Sequence, residues 1–533
     1  MNTWGKERSN INIYIIVYVF VIIINNYNGV HGSRCTGAPK PNAQPNLNHI
    51  YTSAPTFVKS VTNASLYHVG DGEDQISVVH LWGNAYQRGY AHGLLMKNDT
   101  AAFYARVYPY FEQTILQAVN GSVPWLPKGI AKWIAKVGLG VALDLTYDVT
   151  EKYTGQWFKD EMKGLADGSG VDEKYIRRVH MIGELTQGHC SMYGAWGAAT
   201  ASGATLQLRA LDWDTDGPFQ DYPQVTVYHA DDDDEDDGHT LSTTTEGHSF
   251  ANVGWTGWIG SISGISSKQM AISEIGVSFP DKSFGKESRE GVPFTFLLRD
   301  ILQFDNTLDD SINHIKNAHR TCDLILGVGD GKPQQNKSSA PFRGIQYSHS
   351  VANFFDDTNM LPKNDTWHAR IPNMVYYGMD WLCPGYSVVL HRQLKAYHGK
   401  LTPENTVKNV VPIVQTGDLH VVISDLTNMN MFVANARGSS ETGPLKAFDR
   451  QFVKLDMKEL FATTTSVNSE LGVCSVCKEA VQGLIAAGAG GACGAACAAT
   501  GCEPCVPYCA SICGSIAAGE TNEEAICAHI HLC

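Results

Sequence analysis

Residues 188–214 read GHCSMYGAWGAATASGATLQLRALDWD, a pattern typical of two β-strands joined by a tight turn. We predict strands at 191–200 and 205–211, with the small residues 201–204 forming the turn between them. Folding this hairpin back places Cys190 level with the end of the second strand, which carries Arg209 and Asp212. A thiol beside a guanidinium and a carboxylate suits a nucleophile, because nearby positive charge favours the thiolate.

Two other interpretations of Cys190 are open. Free cysteines mostly pack as small apolar groups, and a cysteine can also be half of a disulfide. The Arg-x-x-Asp sequence from Arg209 to Asp212, at the end of the same hairpin, favours the nucleophile.

The motif resembles the cysteine branch of the N-terminal-nucleophile hydrolases, which includes penicillin acyltransferases, bile-salt hydrolases and acid ceramidases. Their shared pattern is a cysteine that opens a strand, with Gly-Arg-Asn-x-Asp closing the next strand. That pattern stands here as Leu208-Arg209-Ala210-Leu211-Asp212, so Ala210 replaces the asparagine and its amide is missing. Three more segments match in the expected order within about residues 75–455, namely 79–93, 291–302 and 416–429.

The resemblance implies an α+β fold, a four-layer αββα sandwich, in a chain that cuts itself between His189 and Cys190. The α-amino group freed on Cys190 would act as the base, since such a group has a pKa of about 7.7–8. Arg209 would favour the thiolate, and Asp212 would orient the ammonium group or a substrate nitrogen.

The resemblance also implies an oxyanion donor and a second arginine. Asn353, in the segment 349–355, is the candidate donor, and the alternative is an asparagine that caps a turn. Arg392, which follows Ser387, is the candidate arginine. His92 and His420 lie in matching segments and are interpreted as structural.

Composition and charge exclude some functions. The chain has 533 residues, a hydrophobic fraction of 43% and a net charge of −14, which argues against a nucleic-acid-binding surface. The acidic run 231–237 is predicted to be a solvated loop, with a metal site as the alternative. We expect no cofactor and no metal.

The N-terminal 32 residues resemble a signal peptide. Lys6 and Arg8 precede an apolar segment, 11–24, that is shorter than the roughly 20 residues a membrane span needs. An uncleaved anchor is the alternative. The Asn-x-Ser/Thr sequons at Asn63, Asn98, Asn120, Asn336 and Asn364 fit the same route. We therefore expect a glycoprotein that is secreted or resides in the lysosomal or endomembrane lumen.

The C-terminal tail is predicted to be a separate domain. Ten of the fourteen cysteines fall between Cys474 and Cys533, a density typical of a disulfide-stapled domain. Its two ends resemble a saposin-type domain, although the middle has more cysteines and glycines than that family has. Zinc binding is the alternative, because Cys474/Cys477 and Cys502/Cys505 have ligand spacing. We divide the chain into a signal peptide (1–32), a propeptide part (33–189), a nucleophile-bearing part (190–465) and the saposin-like tail (470–533).

Several helices are predicted from their ends. Residues 171–185 form a helix that stops just before the nucleophile strand. Thr307 and Asp310 form a capping box for a helix that reaches about residue 318. Pro403 starts a helix that reaches about residue 414. The apolar segment 130–145 is a core helix or, alternatively, an apolar lid that contacts lipid.

These features together predict an enzyme. The expected activity is a thiol amidase or acyltransferase that forms an acyl-thioester on Cys190 and cleaves a non-peptide amide, with an N-acyl lipid as one candidate. Its partners would be a small-molecule or lipid amide and, through the tail, a lipid surface. The alternatives are an inactive hydrolase scaffold that binds lipid or protein, and a phospholipase B-like esterase.

Overall fold

The computed structural model describes residues 35, 39–119, 128–186, 188–230, 247–333 and 340–464, and in the tail 481, 512, 513, 515 and 516. The predicted signal segment, the acidic run and nearly all of the saposin-like tail lie outside the described residues. The chain divides into two compact units, Met1–Phe461 and Ala462–Cys533. The hairpin and every candidate site residue belong to the first unit.

The strands and helices of the first unit follow one another in blocks along the chain. The strands are β1 (Thr56–Val61), β2 (Ala64–Val69), β3 (Ile76–Leu81), β4 (His189–Gly197), β5 (Gly203–Asp212), β6 (Pro223–Tyr228), β7 (Phe250–Trp255), β8 (Ser263–Ser266), β9 (Met270–Gly276), β10 (Leu324–Asp330), β11 (Phe342–Tyr347), β12 (Ala352–Phe355), β13 (Met374–Met379), β14 (His420–Asp425), β15 (Asn430–Asn435) and β16 (Val453–Asp456). The helices are α1 (Ala85–Leu95), α2 (Lys97–Val119), α3 (Lys128–Val137), α4 (Leu139–Thr150), α5 (Gln156–Ser169), α6 (Glu173–Leu185), α7 (Phe294–Phe304), α8 (Leu308–Asn317), α9 (Pro384–Ala396), α10 (Pro403–Asn405), α11 (Val411–Val414) and α12 (Met457–Ala462).

The described strands form two sheets that pack face to face. A ten-stranded sheet has the order β1-β2-β3-β6-β7-β8-β9-β10-β11-β12, and a six-stranded sheet has the order β13-β4-β5-β14-β15-β16. Side chains bridge their inner faces: Gln207 Nε2 of β5 donates to Ser273 Oγ of β9 at 3.1 Å. Helices α1 and α7 pack against the ten-stranded sheet, and α9 and α10 against the six-stranded sheet. The α+β sandwich with two sheets and flanking helices is confirmed.

The predicted hairpin is present as β4 and β5. Its strands start and end within three residues of the predicted ones, and the register pairs Cys190 with Leu211 and Met192 with Arg209. Gly194 is required in β4, because a Cβ there would lie 2.2 Å from Cγ of Phe342 in the opposite sheet. The close approach of the two sheets therefore depends on this glycine.

The predicted helices begin and end close to the predicted residues. Helix α6 begins after Asp172, whose side chain accepts from the Lys174 N–H, and Thr307 forms the predicted capping box at the start of α8. The helix predicted from Pro403 is wrong in its interior. It consists of α10, a π-helical segment Thr406–Val410 and α11, and Pro412 has no N–H to donate within it.

The apolar segment 130–145 belongs to α3 and α4, which separate at Gly138, where φ is 89°. Ile134, Leu139 and Leu143 are buried in the main hydrophobic core, which agrees with the core interpretation of this segment. Among the described residues, no helix combines the length and the apolar character that a membrane crossing requires. A disulfide joins Cys35 to Cys383, the residue that precedes α9.

Candidate active site

Cys190 is the second residue of β4, and its side chain points between the sheets. Met192 lies two residues further on the same face of the strand. Its Sδ accepts a hydrogen bond from Ser273 Oγ of the opposite sheet at 3.2 Å. The Cys190 residue is only 1% exposed, and its sulfur is not in a disulfide. The cystine interpretation is therefore wrong. Arg209 Nη2 lies 3.3 Å from Cys190 Sγ.

Arg209 is held on several sides. Its Nε donates to the Glu274 backbone oxygen at 3.2 Å, and its Nη2 donates to Glu274 Oε2 at 3.1 Å. Its Nη1 lies 2.9 Å from His420 Nε2. A guanidinium can only donate, so this His420 nitrogen is the unprotonated acceptor. Fixed in this way, and only 2% exposed, Arg209 holds its charge at the thiol.

Burial raises the pKa of the Cys190 thiol well above its usual value, and the Arg209 charge opposes that rise. The charges of Glu274 and Asp212 raise the thiol pKa further. The uncut chain therefore carries a protonated thiol at neutral pH. Burial followed by the Arg209 charge lowers the pKa of His420 well below its usual value, so this imidazole is neutral.

Asp212 lies on the strand neighbouring the predicted cut, because the register pairs it with His189. Its Oδ2 is 2.5 Å from Thr416 Oγ1, and its Oδ1 accepts from the Gly417 N–H at 2.9 Å. Burial and the nearby Asp418 charge raise the Asp212 pKa well above its usual value. Gly417 has a φ of 91°, and this left-handed backbone turns its N–H toward the carboxylate.

A cavity of about 90 Å³ opens beside Cys190, Arg209 and Glu274. One water needs about 10–15 Å³ of such volume, so several waters fit. The walls are mostly apolar, which suits an apolar substrate group next to the thiol. Its aromatic residues are Phe111, Trp213, Phe219, Trp255, Trp258 and Phe294.

The other two candidate residues lie elsewhere. Asn353 is on β12, the edge strand of the ten-stranded sheet, where its Nδ2 donates to Gln346 Oε1 at 2.8 Å. This strand is three positions from β9, which carries Glu274, a distance of about 14 Å at normal strand spacing. Arg392 is an exposed residue of α9. Neither residue lines the cavity. Both are predicted from the spacing of the family pattern, and inserted residues give this sequence a different spacing.

Sequence reasoning missed Glu274 and set His420 aside as structural. Glu274 could have been found, because it is the one charged residue in the otherwise uncharged strand β9, MAISEIG. His420 has no comparable local signal. Within the described ranges, no three His, Cys, Asp or Glu side chains group together as metal ligands would.

Comparison with known proteins gives similar solved structures and sequence relatives. No family model matches the chain. Among solved structures, the chain is similar to a Caenorhabditis elegans N-acylethanolamine-hydrolyzing acid amidase ortholog, with a TM-score of 0.30, 13% identity, and 45% of this chain and 93% of that chain covered. It is also similar to a conjugated bile acid hydrolase from Clostridium perfringens, with a TM-score of 0.31, 10% identity and coverage of 52% and 95%.

Sequence relatives cover more of the chain. Protein dcd1A of Dictyostelium discoideum is 33% identical over 424 residues, which are 77% of this chain and 92% of that protein. Protein dcd1B of the same organism is 32% identical over 425 residues, with coverage of 78% and 80%. An uncharacterized protein of Archaeoglobus fulgidus is 23% identical over 281 residues. The chain therefore belongs to the family of the Dictyostelium dcd1 proteins.

Proposed function

We propose that this protein is a thiol amidase or acyltransferase that activates itself by cutting its own chain between His189 and Cys190. The freed cysteine then attacks a non-peptide amide and holds the acyl group as a thioester. Water or an acceptor amine releases it.

One observation carries this proposal. Cys190 Sγ lies 3.3 Å from the fixed guanidinium of Arg209, in the wall of an apolar cavity that also contains Glu274. A buried free thiol in an inert core has no use for a buried arginine, whose desolvation is costly. A nucleophilic thiol benefits from such an arginine, because the positive charge stabilises the thiolate.

Cutting would change the chemistry of the thiol. In the uncut chain the Cys190 nitrogen is a peptide amide and cannot take a proton, and burial keeps the thiol pKa high. After scission the same nitrogen is an amine with an ordinary pKa of about 7.7–8, next to its own side chain. It can then accept the thiol proton. Asp212, which pairs with His189 across the hairpin, would orient the resulting ammonium group.

The cavity and the disulfide support two finer parts of the proposal. An aromatic wall favours an amide with an apolar acyl group, and an N-acyl lipid is the candidate we favour. The Cys35–Cys383 disulfide supports passage through an oxidising, luminal or extracellular compartment.

The first prediction tests self-cutting. Wild-type protein should give two pieces on a reducing gel, with the larger one beginning at Cys190, whereas Cys190→Ala should give one uncut chain. The matched control is Cys322→Ala, which removes the other buried free cysteine of the described residues and should still give two pieces. N-terminal sequencing and intact mass identify the cut. Active wild-type protein that stays whole would contradict the proposal.

The cut protein is then assayed with fluorogenic N-acyl amides of increasing acyl length. We expect hydrolysis by wild type and by Cys322→Ala, and none by Cys190→Ala. Hydrolysis that Cys190→Ala retains would assign the activity to another group.

A further inference from the structure

The side chain of His189, on the other side of the scissile bond, is held in a defined place. Its Nδ1 lies 3.7 Å from Asp380 Oδ2, and the two side chains are 3% and 0% exposed. The Phe279 ring stacks on the imidazole at 6.0 Å with an interplanar angle of 18°. The register explains the pairing, because Met379 lies opposite Cys190 and Asp380 is the next residue.

Asp380 is itself fixed by backbone donors. Its carboxylate accepts from the N–H groups of Ser278 at 2.7 Å, Phe279 at 3.2 Å and Trp381 at 2.7 Å. Such an anchor cannot turn without breaking these hydrogen bonds and leaving buried N–H groups without a partner. The loop that holds Asp380 also supplies the ring that stacks on His189.

We propose that Asp380 is a positioning residue for self-cutting: it holds His189 so that the carbonyl carbon of the scissile bond faces the Cys190 thiol. This inference rests on the proposed function. The carboxylate acts through the imidazole and does not touch the reacting atoms.

The step that this geometry serves is an acyl shift followed by hydrolysis. The Cys190 sulfur bonds to the His189 carbonyl carbon, the carbon–nitrogen bond breaks, and the thiol proton ends on the Cys190 nitrogen. One water then cleaves the thioester, which gives the His189 carboxylate and restores the thiol. The first step closes a five-membered ring, so a small rotation of the carbonyl moves it out of line.

This role predicts a separation between cutting and turnover. His189 becomes the end of the N-terminal piece after scission, so its position no longer affects attack on an external amide. Asp380 should therefore matter for the rate of cutting and much less for the kcat of the cut enzyme. A purely structural role would lower both along with the amount of folded protein.

The experiment follows cutting of the full chain after pulse labelling. We expect Asp380→Asn to slow scission about 10- to 100-fold, the loss that a misplacement near 1 Å causes. The matched control is Asp305→Asn, which removes a buried aspartate that pairs with His314 at 3.1 Å. It should cut at the wild-type rate. Thermal unfolding of both variants measures folding separately.

A second variant keeps the test decisive if Asp380→Asn folds poorly. His189→Ala removes the group through which Asp380 acts, so it should slow scission similarly, and the double variant should be no slower than either single one. Hydroxylamine cleaves thioesters, and it should not rescue Asp380→Asn because the acyl shift itself is slow.

The outcomes separate the two proposals. Wild-type protein that never cuts overturns the proposed function. Wild-type protein that cuts, with folded Asp380→Asn or His189→Ala cutting equally fast, overturns the positioning role alone. Additive slowing in the double variant, or full rescue by hydroxylamine, also overturns it.

Discussion

Arg209 contacts both the Cys190 sulfur and the Glu274 carboxylate. The guanidinium lowers the Cys190 pKa, while Glu274, bonded to the same guanidinium, raises it. Glu274 thus has two opposite effects, since it fixes the arginine in place and also offsets part of its charge. The thiol is tuned by the balance of these two groups.

The next prediction isolates the two charges. Arg209→Gln should move the pH at half-maximal alkylation of Cys190 upward, and Glu274→Gln should move it downward, each by about one pH unit or more. The signs differ because loss of the Arg209 guanidinium charge destabilises the thiolate, whereas loss of the Glu274 carboxylate charge stabilises it. Iodoacetamide labelling of the Cys190 peptide by mass spectrometry measures the shift, in a Cys322→Ala background. Shifts of the same sign would contradict the assignment.

At the scale of elements, the hairpin β4–β5 is the part of the candidate site that can be predicted from the sequence. Cys190, Arg209 and Asp212 lie on one hairpin, so a single tight turn brings them close together. Strand alternation points Cys190 and Arg209 toward the other sheet and Asp212 toward the opposite face. Glu274 lies on β9 of the other sheet, His420 on β14, and Asp380 directly after β13, so all three reach the hairpin through the tertiary fold. No local pattern specifies which distant strands pair, so these contacts could not be predicted.

The two misplaced candidates show the same limit. Asn353 and Arg392 are predicted only from their spacing in the pattern of the resembling group, and inserted residues change that spacing. The edge position of β12 is set by the strand order of the whole sheet. The helix predicted from Pro403 to Val414 has the expected ends, and only its irregular interior, which Pro412 could have signalled, differs from the prediction.

A prediction at this scale concerns the contact between the sheets. Gly194→Ala should destabilise the protein by about 1–3 kcal/mol, because the added Cβ overlaps the Phe342 ring. It should also slow self-cutting, since β4 carries the scissile bond. Urea unfolding and the gel assay measure the two effects. Phe342→Leu should relieve the overlap, so a double variant no more stable than Gly194→Ala would contradict this explanation.

At the scale of the whole molecule, the sandwich places a large hydrophobic core around the reactive hairpin. Cys190 itself belongs to that core, with helices α2 and α6 supplying Phe111 and Ile182 to the cavity wall. The predicted cut falls inside one compact unit and not at a linker between units. Both pieces therefore contribute to a single folded body.

The Cys35–Cys383 bridge has a consequence for the proposed self-cutting. Cys35 precedes the proposed scissile bond and Cys383 follows it, so cutting would open the backbone while the two pieces stay covalently attached. A non-reducing gel should show one band of full mass, and reduction should release two; two bands without reductant would contradict this. The N-terminal piece of the cut protein then cannot dissociate on dilution. Activation would be intramolecular, with a rate independent of protein concentration.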